Sequence, residues 1–108
     1  MTEQMELIIF EIISTGGTAK GLAYEALAAA ENGDFEEAEK LLKEADEALN
    51  HKVQTDIIQA EARGEHTEVS VLFVHAQDHL MTAIEARNLI EKMIKMYKII
   101  DTKLANLK

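Results

Sequence analysis

The last third of the chain carries apolar residues at alternating spacings of three and four: Val69, Leu72, Ala76, His79, Ala83, Ala86, Ile90, Met93, Tyr97, Ile100, Leu104 and Leu107. Those spacings bracket one helical turn, so only a long helix keeps the series on a single heptad seam. The seam has one strongly polar member, His79. The face around Asp78 carries Val71, Val74, Met81, Leu89 and Met96, and Phe73, Leu80 and Ile84 lie further round, so the first half of the helix is apolar on every side. A helix that is apolar on every side has to be buried on every side. Two partner helices of a small bundle cannot cover it, and further copies of the chain are the expected cover. Taken alone, Val69-Ser70-Val71-Leu72-Phe73-Val74 is strand-like; the long helical continuation overrules that.

The remainder is equally committed to helix. None of the 108 residues is proline, and Ala, Glu, Leu, Lys and Met are abundant; both facts favour helix. Asn32-Gly33 closes a first helix, with Gly33 as the left-handed cap residue. Asp34, with Glu37 three residues on, repeats the spacing of a capping box. Arg63-Gly64-Glu65-His66 marks a second break. Helices over about 3–31, 34–62 and 68–105 follow, and turns this short make neighbours antiparallel. The expected fold is all-α, a single domain over residues 1–108 built as an antiparallel three-helix up-down-up bundle.

In the second helix Ala38, Leu41, Leu42, Ala45, Ala48, Leu49 and Val53 form the inner stripe, while Glu36, Glu39, Lys40, Lys43 and Glu47 face water. The first helix is odder. Ser14-Thr15-Gly16-Gly17-Thr18 falls in its middle, where each glycine costs about 1 kcal/mol relative to alanine. Apolar helical pattern on both sides favours an unbroken helix that needs small residues for close approach. Its neighbour there is another helix or an imidazole.

Charge and composition exclude several classes. Eleven Lys and Arg stand against 20 Asp and Glu, a formal net charge of −9. A nucleic-acid binder needs a basic footprint, so that class is disfavoured. The absence of cysteine removes disulfides and thiolate zinc sites, and fits a reducing cytoplasm. No apolar stretch approaches the roughly 20 residues that span a bilayer, and no basic cleavable leader opens the sequence. A soluble cytoplasmic protein is expected, without direct membrane insertion.

The run Val74-His75-Ala76-Gln77-Asp78-His79-Leu80-Met81 carries the chemistry. His75 and His79 are one helical turn apart. Asp78 and His79 lie on either side of His75 around the helix, roughly 100° from each other. Polar groups in an apolar helical wall are costly without a partner or a task. A neutral imidazole nitrogen is a competent nucleophile near neutral pH. Gln77 points away from the patch and carries less weight. His51 and His66 fall in polar surroundings and read as surface histidines. Met81, Met93 and Met96 fit helix packing, and the acids from Glu31 to Glu47 fit a solvated face.

This run, preceded by Val69-Ser70-Val71-Leu72-Phe73, closely resembles the enzyme IIA component of the lactose/cellobiose class of the bacterial phosphoenolpyruvate-dependent sugar phosphotransferase system. The resemblance extends to Ser14-Thr15-Gly16-Gly17, Gly21-Leu22-Ala23-Tyr24 and the turn Gly33-Asp34-Phe35-Glu36-Glu37-Ala38. It implies a phosphotransferase component that works through a phosphohistidine. A phosphoryl group would come from phospho-HPr to His75 and go on to a cysteine of the IIB component. The membrane IIC component would then move a disaccharide of the cellobiose or lactose type. The resemblance also implies a nine-helix homotrimer. Asp78 would share Mg²⁺ or a similar divalent metal ion with its copies on the threefold axis, and His79 would help position the phosphoryl group.

Two other classes compete. His-x-x-Asp-His differs from an inverted zinc-protease motif only in the acid, but no clear third ligand exists for a metal-dependent hydrolase. A non-enzymatic helical adaptor would explain the heptads and leave three polar residues in the wall without a purpose.

Overall fold

The computed structural model describes residues 2–49 and 52–107, without the side chains of residues 52–54. Its helices are α1 (Glu3–Glu31), α2 (Phe35–Ala48), α3 (Lys52–Ala62) and α4 (Val71–Asn106), and no strand occurs among the described residues. The molecule measures 62 × 23 × 20 Å, a length set by α4. No helix among the described residues is long and apolar enough to cross a membrane.

Helix α1 starts where the Thr2 hydroxyl accepts a hydrogen bond from the Met5 N–H at 3.1 Å, satisfying one of the otherwise orphaned first-turn donors. It then runs unbroken through the Gly16-Gly17 pair, as the flanking pattern predicts. Its buried residues are Ile9, Ile12, Gly16, Ala19, Ala23, Ala26 and Ala30, at alternating spacings of three and four. Facing them on α4 are Phe73, Ala76, Leu80, Ala83, Ile90 and Ile94. Small residues on α1 let the two backbones approach closely along a coiled-coil-like seam.

The two long helices run in the same direction. Gly16 lies beside His79 and Leu80, Lys20 and Tyr24 line a cleft with Thr82 and Leu89, and Ala30 lies beside Tyr97 and Ile100. Helix α2 runs the opposite way, with Asp46 paired to Arg87 and Glu39 paired to Lys98. Gly33 takes φ 81° in the α1–α2 turn, a conformation that suits glycine alone. Asp34 Oδ1 accepts from the Glu37 N–H at 3.2 Å, so the predicted cap is present.

Three expectations need correction. The single helix over 34–62 is two helices, because Leu49 leaves helical geometry at φ −74° and ψ 85°. Its side chain turns into the core with Ile9, Ile12 and Phe73, and that burial outweighs helical continuity. The expected roles of His51 and of the Val53 side chain lie outside the described residues. The last helix begins at Val71 rather than near residue 68, because the Ser70 hydroxyl accepts from the Phe73 N–H at 3.1 Å and caps it.

The third correction is a rotation of α4. Its core stripe passes through Phe73, Leu80 and Ile94, whereas Leu72, Met93, Tyr97, Ile100, Leu104 and Leu107 of the expected seam are exposed. Ala76, Ala83 and Ile90 belong to both stripes and are buried. Helix α4 thus carries two overlapping heptad stripes, and only one meets α1.

Candidate functional site

The site is built on the first turns of α4. The Ser70 cap sets where the helix begins. Phe73, Ala76 and Leu80 lock its rotation, buried against Ile9, Ile12 and Ala19 of α1 and Leu49. With Ala76 inward, the neighbouring His75 is exposed, Asp78 is exposed on one side of it, and His79 is half-buried on the other. Gln77 is half-buried. His66 is exposed in the segment between α3 and α4, as expected of a surface histidine.

The His75 and His79 rings are nearly parallel, with centroids 6.2 Å apart and planes inclined by 20°. That spacing falls within the range of offset aromatic pairs. One ring is open to solvent and the other backs it. Among the described residues neither imidazole has a hydrogen-bond or ion-pair partner, and neither has the Asp78 carboxylate. Their polar atoms are therefore uncommitted among the described residues.

His79 rests on the glycine pair of α1. A Cβ at Gly16 would lie 3.5 Å from His79 Cδ2, from the His79 carbonyl oxygen and from Leu80 Cα. A Cβ at Gly17 would lie 3.5 Å from His79 Nε2. The Thr82 hydroxyl donates to the His79 carbonyl at 3.1 Å, holding the backbone on the far side. The small residues of α1 were expected to sit beneath a helix or an imidazole. They serve both, and the imidazole belongs to the same chain. The adjacent glycines in the middle of a helix with apolar pattern on both sides were the signal. Which histidine they meet depends on the α1–α4 register, which no local pattern encodes.

Asp78 stands on a face with Val71, Val74 and Leu89, all exposed and apolar. Among the described residues no three His, Cys, Asp or Glu side chains converge on a point within one chain. A carboxylate is a suitable ligand for a hard divalent cation, but one carboxylate is not a site. The donor chemistry fits such an ion only where Asp78 residues from several copies meet.

The exposed stripe of α1 leads to the same place. Leu7, Phe10, Ser14 and Gly17 recur at spacings of three and four, and Leu7 and Phe10 are 72% and 73% exposed. Large apolar side chains this open, running up to a histidine pair, mark a surface for contact with other proteins.

Similarity to known proteins defines the class of this slender helical bundle. Residues 7–98 match the family described as PTS system, lactose/cellobiose-specific IIA subunit. The chain is 50% identical to the lichenan-specific phosphotransferase enzyme IIA component of Bacillus subtilis, covering 91% of each. It superposes on the crystal structure of the cellobiose-specific enzyme IIA of Bacillus anthracis with a TM-score of 0.89 and 46% identity, over 95% of this chain and 96% of that one. Against the chitobiose IIA solved in complex with HPr from the Escherichia coli phosphotransferase system, the TM-score is 0.78 and the identity 38%, over 93% and 99% of the chains. This chain belongs to the lactose/cellobiose-specific IIA family of the sugar phosphotransferase system.

Proposed function

We propose that the protein is a cytoplasmic phosphocarrier in which His75 accepts a phosphoryl group from phospho-HPr and hands it to a IIB component. One observation carries this reading: in a chain of this family, His75 is the solvent-facing imidazole of a stacked histidine pair. A ring nitrogen of His75 forms the new P–N bond as the P–N bond of the donor breaks, and the donor imidazole keeps the electron pair. The return step moves the phosphoryl group to a thiolate of IIB and leaves His75 neutral. Such transfers ask mainly for in-line positioning and charge stabilisation. Exposure of His75 permits in-line approach from solvent, and His79, stacked beside it, would hydrogen-bond an oxygen of the phosphoryl group. HPr and IIB would dock in turn on the apolar approach formed by Leu7 and Phe10, where few buried charges suit a contact that must be released.

The assembly would be a homotrimer, with the second heptad stripe of α4 packed between copies. Asp78 residues would then converge and hold Mg²⁺ or a similar ion, whose charge would allow the carboxylates to lie together. The relatives named for lichenan, cellobiose and chitobiose point to a β-linked disaccharide as the sugar moved by the membrane IIC partner.

Incubation with phosphoenolpyruvate, enzyme I and HPr, followed by intact-mass measurement, tests the reading. One phosphoryl group per chain is expected, on an adduct that is acid-labile and alkali-stable. A chain that gains no mass while HPr itself is phosphorylated would refute it.

A further inference from the structure

We propose that Gly17 is a positioning residue, whose missing side chain keeps the Nε2 edge of His79 open to an oxygen of the phosphoryl group on His75. The inference rests on His75 being the acceptor. The glycines of α1 divide by what a Cβ would meet. At Gly16 it would reach ordinary contact, 3.5 Å, with the His79 backbone, the Leu80 backbone and a ring carbon. That position is buried, with backbone as well as side chain around it, in the seam between α1 and α4. At Gly21 a Cβ would meet nothing within 4 Å. At Gly17 it would meet one atom, His79 Nε2, at 3.5 Å.

Packing does not explain Gly17. The contact distance is an ordinary van der Waals one, the position is exposed, and its φ is not positive. Alanine fits there and would favour the helix. Glycine at this position costs helix stability that no packing contact recovers. The group affected is a ring nitrogen. A methyl group against Nε2 offers no hydrogen bond and occupies one side of its approach, so a phosphoryl oxygen or a water is displaced from that side. His79 contributes a hydrogen bond only; no proton changes hands, and the bond changes remain those at His75.

Gly17→Ala and Gly21→Ala separate this role from helix propensity. Both variants should melt a few degrees above the wild type. Gly21→Ala should accept phosphoryl groups from HPr at the wild-type rate. Gly17→Ala should lose at least about tenfold in kcat with its KM for HPr unchanged, the pattern of a lost transition-state contact. In ¹⁵N spectra the His79 Nε2 signal should shift on phosphorylation of the wild type and of Gly21→Ala, and stay in place in Gly17→Ala. Wild-type kcat in Gly17→Ala with the same shift would overturn the proposal, as would a raised KM at constant kcat, which would make Gly17 a docking residue. An unfolded Gly17→Ala would overturn it too, because the open space beside Gly17 would not exist. A wild type that takes no label overturns both this inference and the one beneath it.

Discussion

Individual side chains on α4 have opposite duties within three residues. Phe73 is 3% exposed and fixes the rotation of the helix, whereas His75 projects into solvent and holds nothing up. Phe73→Ala should therefore destabilise the fold by about 3–5 kcal/mol, the loss of a buried aromatic plus the cavity it leaves. His75→Gln should shift stability by less than about 0.5 kcal/mol. Equilibrium urea denaturation of the two variants checks both values. Equal destabilisation would mean that His75 is part of the structural wall. The patch of His75, Asp78 and His79 was legible from residue type and spacing, because one helical turn is a local property. Burial was not. The pattern leaves His79 in the core seam and Asp78 on a covered face, while in the folded chain His79 is half-buried on glycine and Asp78 is exposed.

The helices are joined by ion pairs as well as by packing. Arg87 lies between Ala83 and Ile90 on the core stripe and reaches across to α2, donating from Nε and Nη2 to the Asp46 carboxylate at 2.5 and 2.9 Å. Nη1 also donates to Glu91 one turn on. Burial lowers the Arg87 pKa, but its bonds to Asp46 and Glu91 outweigh that and raise it above its ordinary value. The hydrogen bond from Arg87 holds the Glu91 carboxyl below its ordinary value of 4.5. A depressed carboxyl stabilises the fold above its unfolded pKa, and the contribution fades as pH falls through the folded value. Glu91→Gln should thus lower stability slightly at pH 7, by less than about 1 kcal/mol for a partly screened pair, read as a small fall in melting temperature. The gap from wild type should close as pH falls below 4.5. A gap that widened in acid would reverse the assignment. The bounds of helix α1 were legible almost to the residue, the second of them from the chemical mark that Asn32-Gly33 leaves, while the Thr2 hydroxyl cap came from the structure. The break after Ala48 was not. Leu49 uses φ and ψ that any residue adopts, and only its burial against Phe73 and Ile9 makes the turn worthwhile.

At the scale of the whole molecule, α4 is longer than the rest of the bundle can cover. Val71 is 89% exposed and Leu107 82%, with Met96, Ile100 and Leu104 half or more exposed between them. A surface this apolar calls for a partner, and of the two heptad stripes on α4 one meets α1 and the other would, in the proposed trimer, meet other copies of α4. The choice of the wrong stripe from sequence has the same origin: periodicity ranks both alike and does not say which lies inside the chain. We expect a trimer in solution. Two like charges at about 4 Å repel by roughly 4 kcal/mol at an effective dielectric near 20, so three Asp78 carboxylates need a cation or protons. A strong chelator should weaken the wild-type assembly, and Asp78→Leu should form a trimer with or without metal. Light scattering decides it. A wild-type monomer or dimer at high concentration with metal present would rule out the trimer, and an unchanged trimer with no bound ion would rule out the metal. On the proposed function these features would serve one event, the arrival of a phosphoryl group at His75. The most direct measurement is the intact mass of wild type, His75→Gln and His79→Gln after incubation with phosphoenolpyruvate, enzyme I and HPr. One added phosphoryl group on wild type and on His79→Gln, with none on His75→Gln, is predicted; undiminished labelling of His75→Gln would contradict it.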